Sequence, residues 1–287
     1  MKLQAYAKIN IGLHILGKRS DGFHDLETVF HEIDMFDEID LETSDRTAMT
    51  ADSILVPIDG SNLCLRAALL LQKEQHIQQG VIIHLTKNIP ISAGLGGGSS
   101  DAAAVLCGLN KFWELDLSVD QLRSLGAQLG SDVPFFINGG SAYATGRGVI
   151  LEHFALKIPY WIALITPPIR ISTAWAYSKI KPNRDGSVVG LRETLVKKIK
   201  SPNKLLPIIQ NDFELSVFKV YPEIRKTKEI LQESGAVFSL MSGSGSSVFS
   251  FFDDEQKARS AVSSFPKNYQ TSLTKPLFTS RHKSETD

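Results

Sequence analysis

Residues 94–100 read Gly-Leu-Gly-Gly-Gly-Ser-Ser and run directly into Asp101 and three alanines. Each glycine forfeits roughly 0.5–1 kcal/mol of backbone entropy relative to alanine, so a run this dense asks for more than a corner in the chain. The first amides of a helix lack partners, and a main chain bare of side chains lets an anion approach them closely; the helix dipole favours negative charge there. That dipole supplies only about 0.3–1 kcal/mol, so binding would rest on several amides acting with the hydroxyls of Ser99 and Ser100. The bland alternative is a flexible loop with a serine cap. A strand before, a helix after and two adjacent serines favour phosphate. Two familiar nucleotide loops are excluded, because no lysine follows the glycines as a P-loop requires, and Ser99 stands where a dinucleotide fingerprint needs its third glycine.

A second polar set lies near the start. In residues 5–16, Ala5, Ala7, Ile9, Ile11, Leu13 and Ile15 alternate with Lys8, Asn10, Gly12 and His14, the pattern of a half-buried strand. Lys8 and Asn10, two apart on the polar face, could project into a cleft or line a solvated surface. Asp132, in Gly-Ser-Asp-Val-Pro-Phe-Phe, could cap a helix beginning near Pro134.

The elements that must position these residues are legible in outline. Residues 26–43 read as further extended structure, 62–75 as a helix after Ser61 or Asn62 as cap, and 81–86 as a strand. The segment 87–100 reads as a loop. A helix over 101–115 puts Ala102, Val105, Leu106, Leu109, Phe112 and Trp113 on one face, and another helix covers 118–130. Residues 141–154 return to strand, and 160–167 open a second domain with a further strand. Residues 183–186 and the lysine-rich stretch near 197–204 read as surface loop and helix, and 279–287 as a frayed polar tail. Gly243 and Gly245 could make a hairpin turn between the strands 237–241 and 248–252.

A chain of 287 residues is near the size at which one core stops growing, and two domains are expected, 1–155 and 156–287. Thirty-one basic residues balance 31 acidic ones, which argues against a nucleic-acid partner held by a general basic surface and leaves room for a local anion site. Two cysteines, Cys64 and Cys107, form neither a disulfide framework nor a zinc motif, which fits the cytoplasm. The start resembles no leader peptide, and the longest apolar stretch, 158–169, is too short for a bilayer and broken by prolines, so no membrane partner is expected.

The segment 89–104, Ile-Pro-Ile-Ser-Ala-Gly-Leu-Gly-Gly-Gly-Ser-Ser-Asp-Ala-Ala-Ala, resembles the second motif of the GHMP kinase superfamily, with one glycine more. Residues 5–30 and 240–252 fall where that family has its other motifs, so three ordered matches cover most of the chain. Residues 5–30, the spelling of the glycine motif and Leu-Gly-Ser-Asp-Val-Pro-Phe-Phe at 129–136 are most similar to the branch acting on a cytidine-diphosphate-linked methylerythritol. The resemblance implies an α+β, two-domain fold, with an N-terminal domain like ribosomal protein S5 domain 2 and a ferredoxin-like C-terminal domain. It also implies ATP-dependent phosphorylation of the substrate's 2-hydroxyl in the non-mevalonate isoprenoid pathway. Homoserine or mevalonate kinase-like activity is the nearest alternative, and a nucleotide-binding regulator without catalysis the next.

By the same resemblance Lys8 and Asp132 are catalytic, and Asn10 borders the substrate. ATP would be held by Pro90, Ile91, Ser92, Ala93, Gly94, Leu95, Gly96, Gly97, Gly98, Ser99 and Ser100, with Asn62 and Lys87 toward adenine. Phe23 and His24 would recognise cytosine, and Tyr177 would supply a second stacking ring, although a tyrosine at helical spacing also suits a core. The loop at Gly243 and Gly245 would shape the site beside the phosphates. Mg²⁺ would accompany ATP without a dedicated carboxylate cage, so no metal ligand is named.

Overall fold

The computed structural model describes residues 1–180, 190–202 and 208–280. In chain order its elements are β1 (Lys2–Lys18), β2 (His24–Ser44), β3 (Ala48–Ala51), α1 (Leu63–Gln75), β4 (Gly80–Thr86), α2 (Gly97–Phe112), α3 (Val119–Leu129), α4 (Val133–Asn138), β5 (Ser141–Gly146), β6 (Ile150–His153) and β7 (Trp161–Thr166). They continue with α5 (Thr173–Lys179), α6 (Leu191–Lys198), α7 (Glu214–Val220), α8 (Pro222–Glu233), β8 (Phe238–Met241), β9 (Val248–Phe252), α9 (Glu255–Ser263) and β10 (Gln270–Thr274). The expected α+β class is what the chain adopts. The loop expected at 183–186, part of the lysine-rich stretch and most of the polar tail lie outside the described residues. Among the described residues no helix is long and apolar enough to cross a membrane.

Two compact units emerge, and both are discontinuous in sequence: Met1–Ala7, Met35–Ile89 and Gly96–Gly139 form the first, and Lys8–Asp34, Pro90–Leu95 and Gly140–Asp287 the second. The expected domains, 1–155 and 156–287, are continuous in sequence, whereas β1 and β2 each contribute residues to both units. In the second unit Leu13, Ile15 and Leu26 join the core formed by Ala163, Phe213, Val217, Ile224 and Val248.

Within the first unit the end of β2 pairs antiparallel with β4, from Glu38 opposite Thr86 to Ser44 opposite Gly80, and β3 runs parallel to β4. Helices α1 and α2 pack together, as do α2 and α4, and α3 and α4. Within the second unit the start of β2 pairs with β5, which pairs with β6, all antiparallel. A separate antiparallel sheet has the order β10-β7-β9-β8 and carries α8 and α9.

Two local expectations are corrected. β1 is not half-buried: every residue from Ala5 to Leu16 is buried, so Lys8, Asn10 and His14 face protein rather than solvent. Helix α2 begins at Gly97, four residues before the expected start at Asp101, because Gly96 takes a left-handed N-cap conformation and its carbonyl accepts from the amide of Ser100. Gly97, Gly98, Ser99 and Ser100 are therefore the first turn of α2 rather than loop. The helix also stops at Phe112, short of 115, where Glu114 turns to a positive φ.

Candidate functional site

In the second unit the stretch Pro90–Leu95 is held by main-chain bonds on both sides. The amide of Lys8 donates to the carbonyl of Leu95 at 3.0 Å, and that of Ser247 to the carbonyl of Ala93 at 3.2 Å. The carbonyl of Gly94 accepts from the Ser242 hydroxyl at 2.9 Å. Gly94 has φ +80°, and a Cβ there would lie 2.1 Å from the carbonyl oxygen of Ser242. Gly243 and Gly245 do lie in the hairpin between β8 and β9, closed by Ser242 N–H to the Ser247 carbonyl. Gly243 also abuts Gly94, so the turn reading and the placement beside the glycine segment hold together.

Lys8 and Asn10 project from β1 into this same cluster. Lys8 is only 4 % exposed. Its ammonium donates to Asn10 Oδ1 at 2.6 Å and to the Gly94 carbonyl at 3.4 Å, and lies 4.9 Å from the centre of the Phe30 ring. The amide orientation of Asn10 is fixed from its other end, because its Nδ2 donates to Thr28 Oγ1 at 2.9 Å and its backbone N–H to Ser242 Oγ at 3.2 Å. A buried cation with a neutral oxygen held at its flank is oriented without being neutralised by that contact.

In the first unit the other end of the glycine segment is the first turn of α2. Neither serine caps it: the hydroxyl of Ser100 donates to the carbonyl of Tyr6 at 2.6 Å, and the N-cap residue is Gly96. A Cβ at Gly98 would meet only Leu63, at 3.9 Å, so space rather than packing surrounds this position. The ammonium of Lys87 is buried between the carboxylates of Asp37 and Asp101, the latter at 2.6 Å. Asn62 caps α1 by accepting from the Cys64 amide at 2.8 Å, and its Nδ2 donates to the Pro57 carbonyl at 2.7 Å. Asp132 occupies the N-cap position of α4, half-buried, with Pro134 following, yet its side chain makes no capping bond.

The cytosine candidates lie in the second unit. Phe23 is 53 % exposed, with the Arg147 guanidinium 4.6 Å from its ring centre. Its turn is shaped by Asp21, which accepts from the Phe23 amide, and by Arg19, which pairs with Asp21 and Asp25. His24 stacks on Tyr177 with centroids 5.2 Å apart and planes 25° apart, while Tyr177 meets Phe213 edge-on at 4.9 Å. Tyr177 thus sits at the rim of the core with one face on His24. Burial, then the nearby charge of Lys18, pulls the His24 pKa below its ordinary value, favouring a neutral ring near pH 7.

The geometry thus gathers Lys8, Asn10, Gly94 and Gly243 in one cluster, and His24 with Tyr177 in another. Sequence reasoning missed Thr28, Ser242 and Arg147, which act from distant strands and turns. It also missed Asp37 and Asp101; only the adjacency of Asp101 to the glycine run was a signal.

Comparison with known proteins gives one direction. Residues 62–140 match the GHMP kinases N terminal domain, and 191–271 the GHMP kinases C terminal domain. A protein of Chlorobium phaeobacteroides (strain BS1) named 4-diphosphocytidyl-2-C-methyl-D-erythritol kinase is 44% identical over 281 residues, covering 97% of this chain and 98% of the relative. One of the same name from Pelodictyon phaeoclathratiforme (strain DSM 5477 / BU-1) is 42% identical, covering 96% and 97%. A crystal structure of 4-(cytidine 5'-diphospho)-2C-methyl-D-erythritol kinase is 32% identical with a TM-score of 0.82, covering 96% of this chain and 98% of that one. A homoserine kinase from Cytophaga hutchinsonii shares the fold at a TM-score of 0.75 and 18% identity, covering 96% and 94%.

Proposed function

The chain belongs to the GHMP kinase family, and from that membership we propose that it transfers the terminal phosphoryl group of ATP to the 2-hydroxyl of 4-diphosphocytidyl-2-C-methyl-D-erythritol. The observation that carries this reading is likeness along nearly the whole chain to relatives named for that activity. The likeness to homoserine kinase extends to the fold alone.

Main-chain amides of residues 90–100 and the Ser99 hydroxyl hold the triphosphate, the expected Ser100 hydroxyl being spent on the Tyr6 carbonyl; the room beside Gly98 and the unpaired amides expected in a helix's first turn support this. Asp132 orients the substrate hydroxyl and accepts its proton, a contribution of about 10²–10⁴-fold. Lys8 favours negative charge developing on the attacking oxygen. Asn10 holds the ammonium in place and borders the substrate. Phe23, His24 and Tyr177 take the cytosine, since every base offers a π face.

Among the described residues no group of three or more His, Cys, Asp or Glu is arranged to hold a metal. Mg²⁺ would be held by the phosphates and water and would neutralise charge on the transferred group. Asn62 and Lys87 shape the adenine side, their polar ends being engaged within the protein. The free cysteines Cys64 and Cys107 suit a reducing cytoplasm.

The test is incubation of purified protein with ATP, Mg²⁺ and the cytidine-diphosphate alcohol, with the position of the new phosphate read by NMR. Product at the 2-position is expected. Turnover of homoserine or mevalonate in its place would overturn the assignment.

A further inference from the structure

The buried cluster of Asp37, Lys87 and Asp101 lies wholly within the first unit; Lys87 is assigned above to the adenine side, and the two carboxylates have no role there. Its connections are specific. Asp37 Oδ1 accepts from the backbone amides of Asn88 at 2.6 Å and Ile89 at 2.7 Å, and its Oδ2 accepts from the Lys87 ammonium. That ammonium also donates to Asp101 Oδ2 at 2.6 Å. Lys87 and Asp101 are 14 residues apart and flank the whole glycine segment, one at its entry from β4 and the other in α2. A Cβ on Gly97 would lie 3.0 Å from the Lys87 Nζ, so the first turn of α2 rests directly on the ammonium.

We infer that Asp37 and Asp101 are positioning residues for ATP binding, which through Lys87 staple the two ends of the phosphate segment and fix the first turn of α2. The inference rests on the ATP reading of residues 90–100.

A segment of this length would lose much conformational freedom on gripping a triphosphate if its ends were untied. An ion pair joining its ends removes that freedom before the ligand arrives. The cluster is built to stay closed. Burial alone would lower the Lys87 pKa, but Asp101 and Asp37 outweigh it, so the net direction is up and the ammonium keeps its charge. Asp101 is 2 % exposed, and its Oδ1 finds no hydrogen-bond partner. Burial pushes its carboxyl well above the ordinary range, against the pull of Lys87 and with the charge of Asp37 adding to the rise. One carboxyl oxygen is therefore given up to hold the other on Lys87, a cost that a merely decorative contact would not retain.

The experiment compares wild type with Asp101→Ala, Asp101→Asn and Asp37→Asn. It uses titration calorimetry with Mg²⁺ and the non-hydrolysable analogue adenosine 5'-(β,γ-imido)triphosphate, and steady-state KM for each substrate. Asp101→Ala is expected to weaken the analogue and raise KM for ATP by on the order of tenfold, with KM for the alcohol within about twofold. Asp101→Asn keeps an acceptor for the ammonium and should restore most of the loss. Analogue affinity unchanged in Asp101→Ala overturns the inference and leaves the kinase reading standing, as does an equal rise in both KM values. A wild type that does not bind the analogue removes the ATP reading itself and the inference with it. If Asp101→Ala does not fold, Asp37→Asn decides, since unchanged ATP affinity there is equally fatal.

Discussion

A side chain on Gly94 would set its Cβ 2.1 Å from the carbonyl oxygen of Ser242, inside any permissible contact. Gly98, four residues on, would set its Cβ 3.9 Å from Leu63 and near nothing else. One glycine is dictated by a neighbouring strand end, and the other has open space beside it.

Substitution should separate these two reasons. Gly94→Ala, with φ +80° as a further penalty, is expected to lower Tm and reduce kcat/KM for ATP together. Gly98→Ala should leave Tm unchanged or slightly higher, since alanine gains up to about 1 kcal/mol over glycine in a helix. It should nevertheless raise KM for ATP several-fold. Thermal melts beside initial-rate kinetics check both, and a Gly98→Ala enzyme with normal ATP kinetics would free that position from phosphate binding.

The roles given to Asp132 and Lys8 are tested by near-isosteric changes. Asp132→Asn keeps the shape of the half-buried carboxyl at the start of α4 but cannot take a proton. Turnover should fall by at least about 10²-fold while ATP affinity stays within about threefold. Lys8→Met keeps the stem and removes the charge beside Asn10, and should produce the same separation of kcat from ATP affinity. Retained turnover in either variant removes that residue from the mechanism.

Tyr177 stacks on His24, so Tyr177→Leu strips an aromatic face from the cytosine candidates while keeping an apolar side chain against Phe213. KM for the cytidine-diphosphate alcohol should rise about tenfold, in line with roughly 1–3 kcal/mol per stacked base. KM for ATP should not move. If both rise equally, Tyr177 acts only in the core.

The parts of the candidate site that the sequence made legible are those with local signals. The glycine run, the two-residue spacing of Lys8 and Asn10, and the cap at Asn62 are decided within a few residues, and the structure uses each. What stayed hidden depends on distant partners. The alternation of β1 suggests one wet face, yet Thr28 and Ser242 cover Asn10, and nothing local announces them. The start of α2 was missed because helix propensity counts glycine as a breaker, whereas a left-handed Gly96 and the ammonium beneath Gly97 reward it there. The sharing of β1 and β2 between the two units follows from strand length, which periodicity leaves poorly bounded.

His31 predicts how stability responds to acid. It is buried in β2 with Nδ1 2.7 Å from the Ser141 hydroxyl, and burial lowers its pKa from 6.5 to about 4. Above about pH 6.5 the ring is neutral in both folded and unfolded chains and contributes no pH dependence. As pH falls through that value the unfolded chain takes up a proton that the folded one refuses, so stability drops until the folded ring also titrates near 4. The full loss from this residue is about 3 kcal/mol, from a separation of some 2.5 pH units at 1.36 kcal/mol each. His31→Gln removes the titration while keeping an amide that can meet Ser141. Urea melts of both proteins at pH 7 and pH 4.5 should show a smaller acid loss in the variant, even if its stability at pH 7 is lower. Equal losses in the two proteins would show that His31 does not drive the acid sensitivity of this fold.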